Sequence, residues 1–188
     1  MITDLIAHRP TPKAAYTVIP MPSFRKAIAI DPEFCEALND LGASYLETDQ
    51  IDLAIEQFDK AVAIDPHAPK PYANLAIAYL RKGEYADAER AARWVINLDR
   101  AGTHGHLALG VSLVLQNKYT DEMERSLRKA AADFPRAGFW LALGLLGKGQ
   151  IHDAKGKLEE YLARDSQGDT DLARSLLRRV ESLAQNKE

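Results

Sequence analysis

The sequence predicts an all-α solenoid, a stack of antiparallel helix pairs closed by a C-terminal capping helix. Three observations carry that prediction. Phe24, Lys26, Ala27, Ala29, Ile30, Asp31 and Pro32 recur as Phe58, Lys60, Ala61, Ala63, Ile64, Asp65 and Pro66, 34 residues further on. A fixed period of this length marks stacked supersecondary units, each too small to bury its own apolar face. Apolar residues follow helical i, i+3, i+4, i+7 spacing through most of the chain, and no segment shows strand alternation bounded by hairpin turns.

Residues 1–9 have one helical face, made by Ile2, Leu5, Ile6 and Arg9. Prolines at 10, 12, 20 and 22 then forbid a continuous helix, because proline lacks the amide proton and restricts the residue before it. Residues 16–22 read as extended, apolar backbone, and residues 1–22 as an irregular N-terminal segment. Helix resumes near Ser23 and runs to Ile30, a half repeat ended by Asp31 and Pro32. Phe34, Leu38, Leu41 and Tyr45 share a face of the next helix, and Ile51, Ala54, Ile55, Phe58, Ala61 and Val62 form the stripe of its partner. The pair recurs as Tyr72, Leu75, Ala76 and Tyr79, a turn at Lys82 and Gly83, then Tyr85, Ala88, Ala92, Val95 and Ile96. A third pair holds Leu107, Leu109, Gly110, Leu113 and Val114, then Tyr119, Met123, Leu127 and Ala130, with about one extra residue before Pro135. A fourth holds Trp140, Leu143, Gly144 and Leu145, then Ile151, Ala154, Leu158 and Tyr161. The array spans 23–164. After the polar break 165–168 a helix over 169–187 carries Leu172, Leu176, Val180 and Leu183 on one side only, as a solenoid cap requires.

Composition narrows the function. Hydrophobic residues make up 46% and charged residues 27%, ordinary values for a chain with a buried core. The 24 basic and 27 acidic residues leave a formal charge of −3, which argues against nucleic acid as a partner. Cys35 is the single cysteine and reads as a buried, inert thiol. The first ten residues lack a basic run followed by a sustained apolar stretch, and no segment approaches the ~18 apolar residues of a membrane span. A cytoplasmic protein with no membrane contact is the expectation.

The combined pattern resembles the tetratricopeptide repeat family, on Leu38, Leu41, Gly42, Tyr45, Ala54, Phe58, Ala61 and Pro66, then Tyr72, Leu75, Ala76, Tyr79, Gly83, Tyr85 and Ala88. Arg100 stands where the second repeat should end in proline. The third repeat carries Leu109, Gly110, Ala130 and Pro135; the fourth carries Trp140, Leu143, Gly144, Gly149, Ala154 and Leu158. The resemblance implies a right-handed superhelix. It also implies a non-enzymatic scaffold or adaptor that binds a peptide or helix along the inner groove lined by first helices. The groove expected from it comprises Asn39, Ala43, Lys70, Asn74, Ile77, Arg81, Leu107, Val111, Val114, Leu141 and Leu145, polar at first and apolar later. Family members that clamp a chaperone's C-terminal carboxylate need basic residues that are absent at the matching places, where Asn39, Ala43, Asn74, His104 and Ala108 stand.

No catalytic, metal or cofactor site is expected. His104 and His106 lie two apart on a helix and point away from each other, so one ion cannot readily be gripped by both. Gly144, Gly147 and Gly149 lack the preceding strand of a phosphate loop. Asp121, Glu122 and Glu124 open a helix, where carboxylates meet the helix dipole favourably. The alternative function is self-assembly, through the apolar groove or the N-terminal segment, with residues 10–22 lying on repeat surface of their own or a neighbouring copy.

Overall fold

The computed structural model describes residues 21–164 and 170–185. The described residues form ten α-helices: α1 Met21–Ile30, α2 Cys35–Glu47, α3 Ile51–Ile64, α4 Pro69–Lys82, α5 Tyr85–Leu98, α6 His104–Leu115, α7 Asp121–Ala130, α8 Arg136–Gly147, α9 Ile151–Arg164 and α10 Thr170–Gln185. None among them is long and apolar enough to cross a membrane. The expected placement of residues 10–20 lies outside the described residues. Helix α1 starts two residues before Ser23. Pro22 is tolerated there, because a first-turn amide has no acceptor within the helix anyway.

The chain divides into two compact units, α1–α5 and α6–α10. In the first, α2 pairs with α3 and α4 with α5, while α3 also packs on α4 and α1 on α2. In the second, α6 pairs with α7 and α8 with α9; α8 also packs on α6 and α7, and α10 covers α9.

Each pair closes on a tight helix crossing, and in the first and third pairs it leaves no room for a side chain on one partner. A Cβ added to Gly42 would stand 2.6 Å from the Phe58 ring, and one added to Gly110 would stand 2.4 Å from Leu127. Phe58 and Leu127 are fully buried, so neither can retreat. Such close contact is how apolar faces interdigitate at native density.

The turns inside the pairs set the register. Each first helix ends on a left-handed residue: Asp49 (φ 62°), Gly83 (φ 86°), Asn117 (φ 57°) and Gly149 (φ 77°). Glycine, asparagine and aspartate are the residues that accept this conformation most readily. The next amide then reaches back five residues, from Gln50 to the Tyr45 carbonyl at 2.9 Å, Glu84 to Tyr79 at 2.9 Å, Lys118 to Leu113 at 2.8 Å and Gln150 to Leu145 at 2.9 Å. This is the Schellman closure of a helix C-terminus. The left-handed residues are 34 apart from Asp49 to Gly83 and from Gly83 to Asn117, but 32 apart from Asn117 to Gly149. The turn before α7 is one residue longer, and α7, with 10 residues against 14 in α3 and α5, ends almost a turn sooner, so the fourth pair sits two residues earlier than a strict period places it.

That shift corrects the fourth pair. Ala142, not Gly144, occupies the place of Gly42 and Gly110, and it is buried with Leu158. Gly144 faces backward instead, where an added Cβ would stand 2.4 Å from the end of Met123. At the C-terminus, α10 closes the stack. Ala173 and Val180 are buried with Phe139, Ala142, Leu158 and Tyr161, while Leu172, Leu176 and Leu177 pack partly against them.

Two outcomes are expected. Gly42→Ala lowers stability by about 1–3 kcal/mol, an overpacking cost, whereas Gly156→Ala, which has open space around it, raises it by roughly 0.5–1 kcal/mol through helix propensity. Thermal melts of the two variants should move in opposite directions. Ending the chain at Arg164 exposes the Phe139–Tyr161 cluster, so dye binding to apolar surface and light scattering should both rise.

Candidate functional site: the inner faces of the first helices

In the first unit, the inner residues of α2 and α4 form an open, mixed surface. Asn74 donates from Nδ2 to Asn39 Oδ1 at 2.9 Å, and Asn39 Nδ2 donates to Asp40 Oδ1 at 3.2 Å. Arg81 is anchored across the pairs, with Nη1 donating to the Leu46 carbonyl at 2.6 Å and Nη2 to Asp49 Oδ1 at 3.0 Å. Its guanidinium therefore fixes the edge of the surface while remaining part-exposed. Ala43 is half-buried, Lys70 is exposed, and Ile77 is 40% exposed in the middle of this polar frame.

In the second unit the expected apolar groove is largely core. Leu141 (2% exposed) stands where Leu41, Leu75 and Leu109 stand, and Leu145 (1%) where Tyr45, Tyr79 and Leu113 stand. The two-residue register shift turns both inward, so neither lines a groove. Val114 (7%) takes the place of Leu46 and Leu80, which are also buried. Val111 (5%) differs: its counterparts Ala43 and Ile77 are half-buried and exposed, yet it is covered. Leu107 is half-buried. The register also brings up a residue that the sequence reading gave another role. Trp140 stands where Asp40 and Asn74 stand, and it too is buried, at 7%.

The charged clusters are structural. Lys148 Nζ reaches Asp121 Oδ1 at 2.8 Å and Glu124 Oε2 at 3.0 Å, while Arg128 also holds Glu124. Hydrogen bonds from Lys148 to Asp121, and from Arg128 and Lys148 to Glu124, hold both carboxyls below their usual range. The Lys82–Asp52 bridge, 3.0 Å, makes the same link in the first unit; the shared pattern is a cue the sequence offered for the register. Exposed pairs of this kind add little stability. Burial, then Asp65 and Glu36, push the half-buried Cys35 thiol up, which disfavours the reactive thiolate. His104 meets Phe134 edge-on at 4.9 Å. His106 lies apart, its Nδ1 buried without a hydrogen-bond partner.

Three family models match the chain, described as TPR repeat over residues 44–83 and tetratricopeptide repeat over 23–56 and 74–138. The chain belongs to the tetratricopeptide repeat family. No curated protein sequence matches it. Similar solved structures include PilW, a widely conserved type IV pilus biogenesis factor (TM-score 0.75, 22% identity, covering 87% of this chain and 78% of that one). YrrB, a TPR protein with an unusual peptide-binding site, has TM-score 0.73 at 19% identity, covering 90% of this chain and 87% of its own. MamA has TM-score 0.68 at 24% identity, covering 76% and 85%. At these identities the likeness is one of fold.

Burial first, and the positive Lys129 second, hold the His106 imidazole below its ordinary 6.5. The unfolded chain therefore takes up this proton at a pH where the folded chain still refuses it. Above pH 6.5 the residue contributes no pH dependence, and stability falls as the pH drops below that value toward the folded pKa. Thermal melts between pH 7.5 and 5, about the pH range in which histidine ordinarily titrates, should show this fall, and His106→Leu should reduce it.

Proposed function

We propose that the protein is a non-enzymatic interaction scaffold whose inner face on α2 and α4 binds a peptide or helix of another protein. The observation that carries this reading is the Asn39–Asn74 pair beside exposed Ile77 and anchored Arg81. Carboxamides can donate to and accept from a bound backbone. Ile77 offers an apolar contact, and Lys70 and Arg81 supply cationic donors for acidic or carbonyl groups. The surface is held by bonds between neighbouring pairs, so little side-chain entropy is left to lose on binding. YrrB, similar in fold, is a TPR protein with an unusual peptide-binding site, which supports the reading.

A second reading, self-assembly, is favoured by a separate observation at α1. Helix α1 repeats the pattern of α3, but Phe24 is half-buried where Phe58 is fully buried. Ile30 (86% exposed) and Phe34 lie at the end of that half repeat. A second copy covering them would bury apolar surface worth about 25 cal/mol per Å². Light scattering over a wide range of concentration separates the readings, since self-assembly requires a mass that rises with concentration.

The scaffold reading is tested by placing a photo-crosslinking residue at position 77 of the full chain and mapping the captured partner segment. Asn74→Ala combined with Arg81→Ala should weaken a synthetic copy of that segment about tenfold or more, on roughly 1 kcal/mol per lost hydrogen bond and somewhat more for the charged one. Unchanged affinity in the double variant would place binding elsewhere.

A further inference from the structure

The place four residues before each crossing holds Leu38, Tyr72 and His106 in the first three pairs, and Gly138 in the fourth. Leu38 is buried there, at 2% exposed, while Tyr72 and His106 are half-buried. Two of the three filled places thus carry an aromatic ring. The Tyr72 ring stacks on Trp94, with centroids 5.8 Å apart and planes 20° from parallel. Counted from the crossings, Trp94 corresponds to Glu160, so the fourth pair lacks both members of that stack. A Cβ added to Gly138 would come no closer than 3.8 Å, to the Cβ of Tyr161, an ordinary contact. Packing therefore does not demand a glycine here, unlike at Gly42 and Gly110.

Gly138 instead lines a cavity of about 320 Å³ between the end of α7, the start of α8 and the end of α9. Its volume is at the lower end of the range of small-molecule clefts. Buried Leu141 and Tyr161 give it an apolar wall. Arg128, Lys157 and Arg164 surround it with three cations against one carboxylate, Glu160. Arg128 is steadied by Glu124 at 2.7 Å and Lys157 by Glu160 at 2.6 Å. Glu160 and Arg128 are exposed, and pairs of this kind are weak enough for an incoming anion to share.

We propose that this cavity, which lies within the second unit, binds a small aromatic acid. Its ring takes the space left open at Gly138, and its carboxylate lies among Arg128, Lys157 and Arg164. The ring replaces the side chain that the earlier pairs supply from α2, α4 and α6. Guanidinium groups suit such a ligand twice over, since they donate to carboxylates and stack on aromatic faces. This assignment does not depend on the partner reading, which concerns residues of α2 and α4.

The test titrates 2-naphthoate into the full chain and follows its backbone amides by NMR. One site is expected, with the largest shifts at Ala131, Gly138 and Tyr161. The neutral 2-naphthamide should bind roughly tenfold more weakly, having lost the charged hydrogen bonds. Gly138→Leu, which restores the residue found at the place of Leu38, should abolish the shifts with helical circular dichroism retained. Arg164→Gln, at an exposed position, should weaken binding roughly tenfold without disturbing the core. The proposal is overturned by equal affinity for the amide, by shifts centred on other helices, or by no shifts at millimolar acid. It is also overturned by a folded Gly138→Leu chain that still binds, or by unchanged affinity in Arg164→Gln, which decides alone if Gly138→Leu does not fold. An equal response to inorganic phosphate would reduce the site to a patch of charge and overturn it too.

Discussion

The structure depends on one steric constraint, the close crossing of the first and second helix in each pair. Four residues define it on the first helices (Gly42, Ala76, Gly110 and Ala142), and the places opposite on the second helices hold Phe58, Ala92, Leu127 and Leu158, all fully buried. In the first and third pairs Phe58 and Leu127 project over the space that Gly42 and Gly110 leave open, and packing density permits no second occupant. Once the crossing is fixed, the remaining apolar stripes can bury only against neighbouring pairs. Stacking, the need for α10 as a cap and the incomplete burial of Phe24 all follow from that.

The second determinant is the left-handed turn. Asp49, Gly83, Asn117 and Gly149 differ in chemistry but share one backbone conformation, and the bond that each turn makes five residues back fixes which face of the first helix points inward. Helix existence and type were legible in the sequence because the 34-residue phrase and the i, i+3, i+4 spacing are strong over four pairs. Register in the fourth pair was not. Gly144 lies 34 residues after Gly110, so a strict period makes it the small residue at the crossing, whereas the contact it makes is with Met123 of the preceding pair. A second helix that ends almost a turn early leaves no local trace in periodicity, since each helix keeps its own apolar stripe. The αL-tolerant residue before each second helix was the cue that did record the shift.

The same error explains which groove residues were misplaced. Leu141 and Leu145 were assigned to solvent by a count that was two residues off, and on a helix two residues correspond to about 200° of rotation. Val114 was misread for a different reason: it lies at a place buried in three successive pairs, where first helices pack against their neighbours. The first-unit residues, Asn39, Ala43, Asn74, Ile77 and Arg81, are half-buried or exposed, and the period is unbroken from Leu38 to Leu109. What the sequence could not show there was the bonding, since Asn39 and Asn74 meet only when α2 and α4 lie side by side.

Positions fixed by packing carry little information about partners, because size and apolarity are dictated by the crossing and the stack. The informative positions are those that the fold leaves free. At one of these the four first helices carry Asp40, Asn74, Ala108 and Trp140; at another they carry Asn39, Ala73, Leu107 and Phe139. Both series change from polar to apolar along the chain, though nothing in the crossing demands it. Phe139 is accounted for by its burial with α10, and Leu107 is half-buried. Trp140 remains as a large apolar group that is covered where the first unit places Asp40 and Asn74, and Val111 is covered where the first unit leaves Ala43 half-buried and Ile77 exposed. The two units therefore offer different chemistry on equivalent surfaces. The first has hydrogen-bonding groups open to a ligand from outside, and the second has an apolar face already closed to water.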